Sequence, residues 1–252
     1  MNKKNVIGVI LLMILILCLV FCIALLLKFN GKDVTTTSNT PPNIPVNTPP
    51  QDDVILAPTA DAGEEYIKKI YFVGESTTAH FFKGGIDRSH ILVPSSATLT
   101  LGSDILQISV GDKNLTIPEA VKDANAEILI ITIGTNNASN FTEKQFKTFY
   151  GKLIAAIKES SPSTKIILQS SFPVTKEYSD NGNAITNESI DRNNEWTKEL
   201  AKEYDLKYLD TQSILKNGSS ALIEEYCNGD GVHLTAQAYK AIIQYIRTHA
   251  IE

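Results

Sequence analysis

Residues 127–133 of this 252-residue chain read Glu-Ile-Leu-Ile-Ile-Thr-Ile, a nearly unbroken aliphatic and β-branched run. A strand with one wet face alternates apolar and polar residues, so a run like this has to be buried on both faces. Parallel sheets covered by helices above and below meet that demand. Four shorter runs share the character: Lys69–Val73, His90–Val93, Lys165–Gln169 and Leu206–Leu209. Between them lie helical patterns at about 118–124, 143–159, 188–204 and 235–249. The alternation predicts an α/β fold around a mostly parallel five-stranded sheet. Leu99 to Ile117 breaks the rhythm, and its apolar alternation around Gly111-Asp112 predicts an inserted β-hairpin.

A second run constrains the other end of the chain. Val6 to Leu27 is uncharged for 22 residues, and about 1.5 Å per residue makes it long enough to cross a hydrocarbon core of about 30 Å. No small-x-small cleavage site follows it, as a signal peptide would require. Lipoprotein processing at Cys22 is the rival, but Phe21 stands where a lipobox has a small residue. We therefore expect a short basic N-terminus over 1–5 and a transmembrane signal anchor over 6–28. Lys3 and Lys4 precede the span while Lys28 and Lys32 follow it, so the positive-inside bias is modest. Residues 30–64 hold six of the ten prolines on a Thr/Asn-rich background, a composition that does not fold and leans toward extended polyproline II. The expectation is a disordered stalk over 29–64 that holds one domain, 65–252, off the outer face of a membrane.

Composition excludes several classes. With 23 Lys+Arg against 28 Asp+Glu, a net charge of −5, the chain lacks the basic face of a nucleic-acid binder. Two of its three cysteines, Cys18 and Cys22, lie in the apolar run, leaving Cys227 alone beyond it. A disulfide scaffold and a Cys-based structural zinc site are both ruled out.

In parallel sheets, ligands bind beyond the carboxyl ends of the strands. Those ends are small or polar here: Gly74-Glu75-Ser76-Thr77 after the first strand, Gly134-Thr135-Asn136-Asn137 after the third, Ser170-Ser171 after the fourth and Asp210-Thr211 after the fifth. Of the four histidines, only His233 has a rich setting, Asn228-Gly229-Asp230-Gly231-Val232-His233 before the last helix. An Asp three residues before a His on a glycine-bearing loop can reach back to its Nδ1–H, as the acid of a Ser-His-Asp triad does. Each element alone has a plainer reading: Ser76 or Thr77 as a helix cap, Asn136 as a turn residue, Asp-x-x-His as a turn before a helix.

Together and in this order, Ser76, Asn136 and Asp230-x-x-His233 resemble the SGNH (GDSL-type) hydrolase superfamily, over essentially all of 65–252. The resemblance implies a three-layer α/β/α, flavodoxin-like fold. It also implies Ser76 as nucleophile, His233 as general base, Asp230 as triad acid and an oxyanion hole made by the Ser76 N–H and the Asn136 side chain. A third donor would be a backbone N–H of the second block, Ala97 with Gly102 as rival. Two positions depart from the family pattern: Glu75 stands where Asp is usual, and no glycine occurs in the second block before Gly102. Asn137 likewise stands where Asp is frequent. Asp210 is a rival triad acid, His80 an expected wall of the pocket, Trp196 a core or helix-face residue and Cys227 a small buried one.

The resemblance implies a serine esterase; with the expected anchor and stalk, whose location suggests the substrate, the expectation is a membrane-tethered extracytoplasmic enzyme acting on short-chain, O-acetyl-type esters of cell-wall or other polysaccharides. It would need no metal and no organic cofactor. An O-acyltransferase using the same triad and a non-catalytic wall-binding module are the alternatives.

Overall fold

The computed structural model describes residues 53–94, 107–110, 112–136 and 138–251. In chain order its elements are α1 Gly63–Ile67, β1 Ile70–Gly74, α2 Ser76–Ala79, β2 Ile91–Leu92, β3 Gln107–Val110, β4 Lys113–Thr116, α3 Ile117–Asp123, β5 Ile128–Thr132, α4 Glu143–Ser160, β6 Lys165–Gln169, α5 Lys176–Asp180, α6 Asn187–Glu203, β7 Lys207–Leu209, α7 Gln212–Lys216 and α8 Ala236–Arg247. One sheet has the order β2-β1-β5-β6-β7, with every neighbouring pair parallel.

The continuous run at 128–132 lies at the centre of that sheet, and all five of its residues are buried. Alternate side chains feed two separate cores. Leu129 and Ile131 join Val73 and Leu168 against α3, α4 and α6, while Ile128 and Ile130 join Phe72 and Ile167 against α8. The result is three layers, as expected. A fully buried isoleucine such as Ile130 contributes about 1.5–3 kcal/mol of hydrophobic stabilisation. Helix starts are written locally: Thr116 with Glu119 and Thr142 with Gln145 form reciprocal capping boxes.

The expected hairpin is present as β3 and β4, paired antiparallel with Ile108 opposite Leu115; residues 99–106 lie outside the described residues. Three short helices, α1, α5 and α7, were not foreseen, because five residues are too few to show a helical period.

The stalk boundary needs correction. Residues 53–64, assigned to the disordered stalk, belong to the folded domain. Ile55 bridges Tyr208 in parallel beside β7, with Tyr208 N–H donating to Val54 O at 2.8 Å and Leu56 N–H to Tyr208 O at 2.9 Å. Val54 is buried, and Asp61 takes both Nε and Nη2 of Arg247 at 2.7 Å. The prolines of the flanking sequence masked the Val54-Ile55-Leu56 triplet that makes this strap. The expected signal anchor and the rest of the stalk lie outside the described residues, among which no helix is long and apolar enough to cross a membrane.

Candidate active site

β1 runs into α2 through Glu75, whose extended backbone turns the chain so that Ser76 opens the helix. The Tyr239 hydroxyl, on α8, donates to Thr77 O at 2.6 Å, so the last helix braces this turn. The same helix begins three residues after His233, with Thr235 as its N-cap. Ser76 Oγ lies 3.2 Å from His233 Nε2, and His233 Nδ1 lies 2.7 Å from Asp230 Oδ2. The other carboxylate oxygen of Asp230 accepts the backbone N–H groups of Val232 at 2.8 Å and His233 at 2.7 Å. Burial alone would raise the Asp230 pKa, but these N–H donors and the imidazole outweigh it and bring it down to about 2. Asp230 is thus a fixed anion on the Nδ1 side of the ring, leaving Nε2 to deal with the serine proton.

The loop's shape comes from two glycines and a sulfur. Gly229 and Gly231 have φ of +105° and +83°, and a Cβ on Gly231 would come within 2.6 Å of Tyr178 Cβ. Cys227, expected to be buried, is instead half-buried, and its Sγ accepts the N–H groups of Gly229 at 3.4 Å and Gly231 at 3.2 Å. Asn228 N–H closes the loop onto His233 O at 2.9 Å.

Asn136 sits half-buried on the turn after β5, which begins at Gly134 with φ of +135°. Glu75, buried and adjacent to Ser76, accepts the Thr135 N–H at 2.9 Å and the Asn136 N–H at 3.1 Å on Oε2. Desolvation raises its pKa to about 7 against the lowering by these amides and that of Gly134. Asn193 on α6 holds the same turn from the other side, donating to Gly134 O at 2.9 Å and Ala138 O at 3.2 Å. Its neighbour Asn194 brackets Ser171 after β6, accepting its N–H at 2.8 Å and donating to its carbonyl at 3.1 Å. Sequence reading passed over both asparagines. Their signal was available: two consecutive weak helix formers lie inside a long helix and are buried there.

Of the other residues singled out, His80 lines the site as expected, its ring edge-on to His233 with centroids 5.4 Å apart. Burial, then the charges of Lys83 and His233, lower its pKa. Asp210 does not meet His233; it borders a cavity of about 510 Å³ with Asp191, Lys198 and Lys216. Trp196 packs on Phe146 with Arg192 over its ring. Ala97, Gly102 and Asn137 lie outside the described residues. A smaller hollow of about 210 Å³, edged by Tyr178, Asn181, Asn183 and Glu224, opens beside Asp230.

Comparison with known proteins places this geometry in context. The sequence profile of the GDSL-like Lipase/Acylhydrolase family matches residues 72–241. Among curated proteins, none matches the chain. Among solved structures, a candidate platelet activating factor from Streptococcus pneumonia is 19% identical, with 71% of this chain and 82% of that chain covered at a TM-score of 0.52. A GDSL-like lipase from Bacteroides thetaiotaomicron is also 19% identical, with 73% and 91% covered at a TM-score of 0.51. At these identities the likeness is one of fold, and it agrees with the three-layer arrangement described above.

Proposed function

Because the chain belongs to the GDSL-like lipase/acylhydrolase family, we propose that it is a membrane-tethered, extracytoplasmic serine esterase that removes short acyl groups, O-acetyl foremost, from cell-wall or other polysaccharides. The observation that carries the catalytic part is the unbroken series of contacts from Ser76 Oγ to His233 Nε2 and from His233 Nδ1 to Asp230. In this reading Ser76 Oγ attacks the ester carbonyl while His233 Nε2 takes its proton. The ester C–O bond then breaks, and the imidazolium returns the proton to the leaving alkoxide, giving an alcohol and an acyl-enzyme. Water, deprotonated by the same imidazole, attacks the acyl-enzyme; acid leaves and Ser76 is regenerated.

The carbonyl oxygen becomes an oxyanion in both halves. The Ser76 N–H, the Asn136 side chain and a second-block N–H from Ala97 or Gly102 are its proposed donors. Tethering is supported by the apolar run Val6–Leu27 and the proline-rich segment after it. The polysaccharide substrate follows from the location those segments imply.

The test is turnover by the full chain over a panel from p-nitrophenyl acetate to longer acyl esters and acetylated glycans, with Ser76→Ala alongside. Activity on short acyl groups that vanishes in Ser76→Ala is expected; equal rates in the two chains would refute the reading. Donor consumption that needs a glycan acceptor would instead make the enzyme a transferase. Fractionation with external protease tests the placement, because an extracytoplasmic domain is digested in intact cells.

A further inference from the structure

Glu75 is a carboxylate buried to 2% exposure, and among the described residues no cation pairs with it. Such a group is costly unless its lone pairs are filled by hydrogen bonds. Here they are filled by one segment: the Thr135 N–H reaches Oε2 at 2.9 Å, and the Asn136 N–H lies 3.1 Å from Oε2 and 3.2 Å from Oε1. The contact joins residues 60 and 61 positions apart, one beside Ser76 and the other carrying the Asn136 side chain. No sheet bond does this work, because β1 and β5 pair only as far as Gly74 and Thr132.

We propose that Glu75 is a positioning residue for the esterase reaction proposed above, on which this inference rests: it locks the Asn136 turn to the nucleophile turn, so that the oxyanion donor and Ser76 move as one body. The longer side chain in place of the usual Asp is what spans the two turns here. The role belongs to the ionised form. A protonated acid would set an O–H among N–H donors and withdraw an acceptor from the turn. With burial raising its pKa to about 7, Glu75 changes state within the working range of a neutral esterase. Tyr150, on α4, is the titratable group that faces it, and the phenol donates away from it to Ile131 O at 3.3 Å. The described residues of the turn, Gly134, Thr135 and Asn136, bring no charge.

The experiment is the pH dependence of kcat and kcat/KM on p-nitrophenyl acetate for the full chain, Glu75→Gln and Ser76→Ala, each checked by circular dichroism. In the unaltered chain, both Glu75 and His233 must be unprotonated, so the acid limb should be second-order in protons. Glu75→Gln should leave it first-order, lower kcat about tenfold through misplacement of the donor and keep KM within about twofold. Glu75→Asp retains an ionisable carboxylate but is one methylene too short to span the two turns, so kcat should stay lowered even if the second-order limb returns. A merely structural glutamate would move thermal stability without changing the order of the limb. Wild-type kcat in Glu75→Gln overturns the proposal while leaving the esterase reading intact. If Glu75→Gln does not fold, a first-order limb in the unaltered chain overturns it just as well. Turnover unaffected by Ser76→Ala would remove the esterase reading itself and this role with it.

Discussion

Replacing Asp230 by its isostere should be worse than deleting its side chain. The two carboxylate oxygens have different partners: Oδ1 accepts the Val232 and His233 backbone N–H groups, and Oδ2 meets His233 Nδ1. In Asp230→Asn one end becomes NH₂. The amide oxygen stays on the two backbone donors, because the flipped amide would lose both bonds to keep one. The NH₂ then faces Nδ1 and forces the tautomer with its proton on Nε2, which cannot accept from Ser76. A triad frozen in the wrong tautomer loses about 10⁴ in kcat. Asp230→Ala leaves Nδ1 open to water, since the aspartate side chain is 48% exposed, and we expect a smaller loss, because the imidazole loses its orientation but keeps its basicity. Neither change should unfold the protein. Lowering of the Asp230 pKa from 3.8 to about 2 has a ceiling of roughly 2.5 kcal/mol, and solvent screening at a half-exposed group reduces it to about 1 kcal/mol. That stability is present above the unfolded pKa and is lost only as the pH falls through about 2, so assays at neutral pH read catalysis alone. The measurement is kcat on p-nitrophenyl acetate with thermal melts of both variants. Asp230→Asn more active than Asp230→Ala would refute the assignment of the two oxygens, and with it the tautomer reasoning.

Other outcomes follow from the same geometry. Asn136→Ala should lower kcat about 10²–10³-fold with little change in KM, as loss of one oxyanion donor does; an unchanged kcat would take Asn136 out of the oxyanion hole. A chain beginning at residue 65 should unfold at clearly lower urea than one beginning at residue 50, because it lacks the strap and leaves the Tyr208 N–H without Val54 O; coincident midpoints would show that the strap contributes nothing. Gly231→Ala should cost activity before stability, since its Cβ would press on Tyr178 at a residue with φ of +83°, and equal ester turnover by the variant would argue that the loop tolerates a shift.

What was legible in the chain was what has a period or a short spacing. The five strands could be read because runs such as Ile128–Thr132 are apolar on both faces, and the observed strands differ from the expected ones by a residue or two. Asp230 and His233 could be paired because three positions on a glycine loop fix their meeting almost regardless of the fold. Ser76 and Asn136 could be connected to them only through resemblance, since 157 positions separate Ser76 from His233 and no local rule spans that. The strap at 53–64 was hidden because composition averages over a window, and three apolar residues vanish among prolines. The partners of Glu75 were hidden for another reason: they are backbone amides of a distant turn, which carry no side-chain signature at all.

The neighbouring asparagines on α6 make two turns at the carboxyl edge of the sheet depend on one rotational setting of one helix. Asn193 and Asn194 project toward different turns, the first to Gly134 and the second to Ser171. Anyone recombining this domain with a homologue should therefore treat α6 and the two turns as a single cassette. Exchanging the helix without its turns, or inserting one residue ahead of Asn193, would rotate the helix by about 100° and unhook both turns together. Swaps confined to the outward face of the same helix leave the cassette whole.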